Sequence, residues 1–474
     1  MMTSTVELQE RTTTQTNFDL QMRERTARGL RKTADTGLFM GRSLYNRFDL
    51  VYLRGNTGML TVGGARGGKT ACCSIPNLLT WRHSAFVIDV KGSHAAVTAP
   101  YRREVLGQDV YIVDAFNVLG QGTDGFKSLD INPDAPDVRE QINAHADALV
   151  VPDPDSREKH WDDGARTIIA GLIDHLVSSH REPSLPMLRG LLTQMPEEQK
   201  ALWANMAVNE SLGGAARDAA TRIIRGFDTN EILGLLSNAD KHTEWLSSKP
   251  IQDVLSKRSF SFAQLKQKPT TIYLVIPPHY LNIHKRLLRL FVNQAINAMS
   301  VGGRSPIPVL GLCDEFLQYG FMSEILKAFS LMQGYNLMLW PFIQDLKTAK
   351  HLYGDSFNAI INNCRAVQTF AVSDEESTRF TSDRIGPRSM RYVWGTNSFG
   401  APPPLRNPTE VAREVYADGG LQYILRAGGA PLLLKKVPYF EDKLDAKWNA
   451  SMPAWLMQRL YPFWGKYDPD PDYR

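Results

Sequence analysis

Residues 63–70, GGARGGKT, carry the clearest chemistry in this 474-residue chain. Gly63, Gly68, Lys69 and Thr70 satisfy the pattern GxxxxGK[ST], with Gly64, Ala65, Arg66 and Gly67 as its fillers. An apolar GMLTV precedes them and a helix-compatible TACCSIPNLL begins at Thr70, the context such a loop needs. Glycines let the backbone wrap phosphates without Cβ clashes and present N–H groups at the positive end of a helix. All eight residues are therefore read as nucleotide-binding. Lys69 is placed to neutralise β and γ phosphates, and the Thr70 hydroxyl to hold Mg2+.

Hydrolysis also needs acids, and PVLGLCDEF is an apolar strand that ends in Asp314 and Glu315. At the carboxyl edge of a parallel sheet those side chains share the crevice where a phosphate ligand sits. Asp314 is placed to bind Mg2+ through water, and Glu315 to orient or deprotonate the attacking water. Gln344 closes the next strand, WPFIQ. Its amide can bond both a phosphate and a water and so report hydrolysis to its neighbours. Lys69, Asp314, Glu315 and Gln344 make up the expected catalytic set, with Thr70 and Asp314 on the metal.

These residues require a sheet, and the chain supplies one in two pieces. MLTV, SAFVIDV and DVYIVDAF alternate with helical stretches, the signature of right-handed βαβ units on a parallel sheet. After the turn-rich NVLGQGTDGFKSLDINPDAPD the chain reads as helix from about Val138 to about Ser259. Strands return at TTIYLVIPP, PVLGLCDEF, NLMLWPFIQ and RAVQTFAV, and after the proline-rich GAPPPLRNP come LQYIL and PLLLKKV. A sheet built from both sides of a helical block means that the block projects from it. The division is a flexible N-terminal arm at 1–38, a nucleotide-binding domain at 39–182 and 260–440, an all-α insertion at 183–259, and a tail at 441–474. The fold class is α/β, with a mostly parallel twisted sheet and an inserted all-α domain.

Composition excludes several classes. With 43% apolar and 22% charged residues the chain is an ordinary globular mixture, neither fibrous nor mainly disordered. No stretch reaches the roughly 18 apolar residues of a membrane crossing, and the N-terminus lacks the pattern of a secretory signal. Cys72, Cys73, Cys313 and Cys364 show neither a CxxC pair nor a His at metal-ligand spacing, and read as reduced thiols. A net charge of +4 is too small to argue for nucleic acid by itself. The run RERTARGLRK at 23–32 is the one basic cluster.

The wider pattern resembles the conjugative DNA-transfer ATPases of the TraG and TraD kind, the coupling proteins of type IV secretion systems. The likeness runs through IPNLLTW, SAFVIDVKGS, the arginine of APYRREVLG, INPD, the DEF of the acidic strand, GYN followed by FIQDLKTAKHLYG, IINNCRAVQTFAVSDEESTRFTSDRIG and LRAGGAPLLLKKVPYF. It implies a RecA-like P-loop NTPase that uses ATP and Mg2+ and assembles as a homo-hexamer. It also implies a relaxase or accessory protein bound to DNA as cargo, gripped mainly through the DNA backbone, and secretion components of the inner membrane as partners. The expected place is the cytoplasmic face of that membrane, reached through a partner, because this sequence has no transmembrane segment where relatives carry theirs. Two further departures stand out. The motif commonly written DPKGE is DVKGS here, and Leu331, Met332 and Gln333 precede GYN where some relatives place an arginine suited to a neighbour's phosphate. Arg365, Arg379 and Arg384 are the arginines to test first for that trans role. A FtsK-like or helicase-type DNA pump and an ATP-switched recruitment adaptor are the alternatives; the paired acids argue against a pure switch.

Overall fold

The computed structural model describes residues 37–44, 50–55, 57–150, 159–209, 213–227, 229–387, 403–416 and 420–439. The N-terminal arm with the 23–32 run, up to residue 36, and the 441–474 tail lie outside the described residues.

Eleven strands form one sheet. They are β1 (Gly37–Arg42), β2 (Leu50–Arg54), β3 (Met59–Gly63), β4 (Ser84–Asp89), β5 (Asp109–Val113), β6 (Thr270–Val275), β7 (Val309–Cys313), β8 (Leu337–Ile343), β9 (Ala366–Phe370), β10 (Leu421–Arg426) and β11 (Leu432–Lys435), in the order β2-β1-β11-β10-β9-β3-β8-β7-β4-β6-β5. From β9 to β5 every pair is parallel, and the other pairs are antiparallel. Strands β3, β4, β6, β7, β8 and β9 are buried along their whole length, which is why they read as continuous apolar runs: helices cover both faces of a parallel sheet.

The polar residues that do enter these strands are paired across them. Trp340 Nε1 on β8 donates to Thr61 Oγ1 on β3 at 2.8 Å, and Thr61 donates to Gln368 Oε1 on β9 at 2.9 Å. Gln368 Nε2 donates to Gln422 Oε1 on β10 at 2.6 Å, and Gln422 Nε2 to the Met40 carbonyl on β1 at 2.5 Å. One chain of bonds thus crosses five strands beneath the loop at 63–70.

The helical block is a body of its own. Lys159–Ser179 packs against Leu185–Leu192, Ala215–Arg225 and Asn230–Thr243, while Leu185–Leu192 meets Lys249–Ser256. This packing draws in Lys159–Ser179, which the sequence division placed with the strand-forming part; its apolar stripe Ile169, Leu172, Ile173 and Leu176 is fully buried. Arg286, on the helix Lys285–Ser300, ties the body to the helix Val138–Leu149, donating to the Leu149 carbonyl and to His242 Nδ1, each at 3.0 Å.

Candidate active site

Parallel strands point their carboxyl ends the same way, so their following loops gather on one edge. Val62 is in register with Ile343, Cys313 with Pro341, and Ile88 with Cys313. Side by side on that edge therefore stand the 63–70 loop after β3, Gln344 after β8, Asp314 and Glu315 after β7, and Asp89 at the end of β4. The order β3-β8-β7-β4 brings together residues up to 281 positions apart, Gly63 to Gln344, from both sides of the helical block.

The loop is fitted to the end of β9. Gly64 N donates to the Ala371 carbonyl at 3.2 Å, and a Cβ at Gly64 would stand 2.4 Å from that oxygen. A Cβ at Gly67 would stand 2.5 Å from Ala371 Cβ. Arg66 adopts a left-handed φ of 57° and Gly68 one of 88°, which turn the chain into the Lys69–Ser74 helical segment. Cys72 N bonds to the Gly68 carbonyl, so the N–H groups of Lys69, Thr70 and Ala71 in the first turn have no preceding turn to use, the arrangement that suits an anion. Lys69 Nζ lies over the loop, donating to the Gly63 carbonyl at 2.7 Å. Ala65 and Arg66 are exposed at the tip.

Asp314 is buried and Glu315 half-buried. Burial raises the Asp314 carboxyl above its ordinary value, with Lys69 among the charges that oppose the rise. Glu315 holds a left-handed conformation, φ 47° and ψ 43°, rare for a residue with a side chain and typical of functional sites. Gln344 Nε2 donates to Glu315 Oε2 at 3.0 Å. The fit to a nucleotide and its metal rests on this donor set: helix-start amides and an ammonium on one side, two carboxylates and an amide on the other.

Sequence reading missed a buried relay beside the acids. Asp89 Oδ1 accepts from His94 Nδ1 at 3.0 Å, Asp89 Oδ2 from Ala95 N at 2.8 Å, and His94 Nε2 meets Ser74 Oγ at 2.7 Å. Burial pushes the His94 ring down, but the Asp89 carboxylate more than offsets it and its pKa is raised. The relay joins the end of β4 to the helix that leaves the loop. The signal lay in DVKGSH, five residues from acid to imidazole. Lys436 was missed too; buried, with its pKa lowered by that burial, it donates to the Gly67 carbonyl at 3.3 Å from beneath. The family arginine Arg102 is structural: fully buried, it donates to the Trp81 and His83 carbonyls at 2.8 and 2.7 Å and to Thr271 Oγ1 at 2.6 Å. Burial pushes it down to about 10, still charged at neutral pH.

Of the three arginines singled out for a trans role, Arg379 and Arg384 lie on Glu375–Ile385, the helix that follows the carboxyl end of β9. Arg379 ion-pairs with Glu375 at 2.7 Å, and Arg384 stacks over Phe380 at 4.7 Å. Arg365 precedes β9, on the opposite edge of the sheet.

The sequence matches the family described as Type IV secretory system Conjugative DNA transfer over residues 11–459. The chain belongs to that family. Among its conjugative DNA transfer relatives, the conjugal transfer protein TraG of Escherichia coli is 24% identical over 456 residues, which cover 85% of this chain and 70% of that protein. Protein VirD4 of Agrobacterium fabrum is 27% identical over 404 residues, covering 81% and 59%. The chain thus spans roughly six to seven tenths of these relatives' length. Plasmid coupling protein TrwB, solved with a non-hydrolysable ATP analogue, superposes with a TM-score of 0.65 at 12% identity over 87% of this chain and 91% of TrwB. That likeness places the fold in the RecA-like P-loop class expected for this conjugative DNA transfer protein. Among the described residues no helix is long and apolar enough to cross a membrane.

Proposed function

We propose that this chain is an ATP-driven motor that passes DNA or nucleoprotein to a type IV secretion channel. The observation that carries the reading is the shared strand edge: the 63–70 loop, Asp314 with Glu315, and Gln344 meet there in a chain of the conjugative DNA transfer family. TrwB has also been solved with ADP and Mg2+, which supports ATP and Mg2+ as the ligands here.

In this reading the loop amides and Lys69 would hold the β and γ phosphates, and Thr70 and Asp314 would hold Mg2+, whose charge would offset that of the transferring phosphoryl group. Glu315 takes the proton of the attacking water. Gln344, bonded to Glu315, passes the change in that carboxylate to the helix that starts beyond Asp345. Subunits close into a homo-hexamer, and a neighbour's arginine completes each site. The helical body, 159–256, receives a relaxase or accessory protein, DNA is gripped by its backbone, and secretion components recruit the ring to the inner membrane.

ATP turnover measured across protein concentration, with and without single- and double-stranded DNA, tests this reading. A motor gives DNA-stimulated turnover; a slow rate indifferent to DNA supports the adaptor instead.

A further inference from the structure

A second polar cleft lies on the opposite edge of the sheet. Arg365 immediately precedes β9 and Arg426 ends the antiparallel β10, with Arg426 in register with Ala366. Between them opens a cleft of about 460 Å³, also lined by Thr57, Gln333, Asn362 and Asn363. The five residues of β9 separate it from the 63–70 loop by roughly 15 Å at the usual rise of a strand.

Its chemistry is one-sided. Two guanidiniums and three side-chain amides line it, and no carboxylate does. Arg426 commits Nε to the Ala430 carbonyl at 2.9 Å, and its two terminal nitrogens have no acceptor among the described residues. The Arg365 guanidinium has no hydrogen bond or ion pair there either. It lies where Gly55 leaves space, since a Cβ on Gly55 would stand 2.5 Å from Arg365 Nη1. Burial lowers the Arg426 pKa and the nearby Arg365 charge lowers it further. Half-buried arginines brought together without an acid are set for an external anion, and the planar guanidinium fork matches the oxygens of a phosphate.

We propose that this cleft binds a phosphodiester of single-stranded nucleic acid. The inference rests on the DNA-transfer reading above and adds a site to it. A concave pocket admits one strand's backbone where a base-paired cylinder stays outside, and the lining amides can meet the sugar or the base edges of an unpaired nucleotide. Placed across the sheet from the nucleotide loop, the cleft contacts β9, whose other end holds the loop through Ala371. A strand seated there bears on the same element as the nucleotide.

The test is fluorescence anisotropy of a labelled single-stranded oligonucleotide with the full chain, without nucleotide, over a series of salt concentrations. The double variant Arg365→Ala, Arg426→Ala should weaken binding on the order of tenfold or more at low salt and flatten the logarithmic salt slope by about 0.7 per lost phosphate contact. Its melting temperature serves as the fold control, and Arg365→Lys with Arg426→Lys, which keeps both charges, should keep most of the slope. Wild-type binding with an unchanged double variant overturns the site and leaves the DNA-transfer reading standing. A wild-type chain that binds no nucleic acid overturns both. Arginine-dependent capture of phosphatidylglycerol vesicles with undiminished oligonucleotide binding assigns the cleft to lipid and overturns the proposal.

Discussion

Gln344 Nε2 donates to Glu315 Oε2 across 3.0 Å, joining the ends of β8 and β7 at the edge where the 63–70 loop stands. The bond fixes one oxygen of a carboxylate whose backbone is already held in a left-handed turn. Glu315→Gln keeps size and hydrogen bonding but removes the base, so ATP binding should persist while hydrolysis falls by on the order of a hundredfold or more. Gln344→Ala keeps the base and loses its orientation, so the fall should be smaller. Binding and single-turnover measurements on both variants check the order; an equal loss of binding in both would sink the assignment.

Lys69 Nζ donates to two carbonyls of its own loop, those of Gly63 and Gly64. Lys69→Ala should therefore abolish nucleotide turnover and leave the unfolding free energy within about 1 kcal/mol of wild type. Normal turnover in this variant would remove the loop from the mechanism.

Much of this site was legible because its parts are local. GxxxxGKT followed an apolar strand, and DEF and FIQ closed two others, so the strand ends marked the functional edge. The order β3-β8-β7-β4 was not legible, since adjacency of parallel strands is decided by crossover helices and not by any one segment. Asp89, His94 and Ser74 belong to three elements, and only the packing of the loop helix against Ser93–Glu104 brings Ser74 to the pair. The start of the helical body was read late for a similar reason. Lys159–Ser179 is helical by pattern, but its partners, Ala215–Arg225 and Asn230–Thr243, lie dozens of residues downstream.

The buried chain of amides should be worth stability. Gln368 bonds to Thr61, Gln422 and Cys73 Sγ, and stands 1% exposed. Gln368→Ala leaves Thr61 and Gln422 with unmet groups and opens a void, a loss of about 2–4 kcal/mol. Urea denaturation measures it, and a cost under about 0.5 kcal/mol would show that the network is dispensable.

Acid should destabilise the fold through histidines held neutral. Burial lowers the pKa of His145, His175, His242 and His284 below the ordinary 6.5. Two geometries agree: His145 Nδ1 donates to the Gln141 carbonyl at 2.8 Å, and His242 Nδ1 accepts from Arg286. A depressed histidine stabilises the fold above its unfolded pKa, and that contribution is lost as pH falls below about 6.5. His94 has the opposite sign, its raised pKa stabilising at low pH and fading as pH rises through the folded value. Four groups against one predict a melting temperature that drops between about pH 6.5 and 5.5. His242→Asn should flatten the drop, and a melting temperature that rises on acidification would reverse the balance.

Assembly should govern turnover. A neighbour's arginine reaches a site only after subunits associate, so ATP hydrolysis per subunit should climb with protein concentration by mass action. Arg379 and Arg384 stand on the helix that leaves β9 beside the nucleotide loop, and Arg379 is held by Glu375, an exposed pair that a phosphate can outcompete. Arg379→Ala and Arg384→Ala, tested singly, should bind ATP normally; the variant lacking the trans group should hydrolyse it slowly at every concentration. Mixing supplies the decisive comparison. A Lys69→Ala subunit has no working loop of its own but keeps both arginines, so adding it to the inactive arginine variant should restore turnover in the arginine variant's sites. Recovery requires that the two groups come from different chains. If the mixture stays inactive while each variant still assembles, the arginine acts within its own subunit, and a rate independent of concentration would point to a monomeric site.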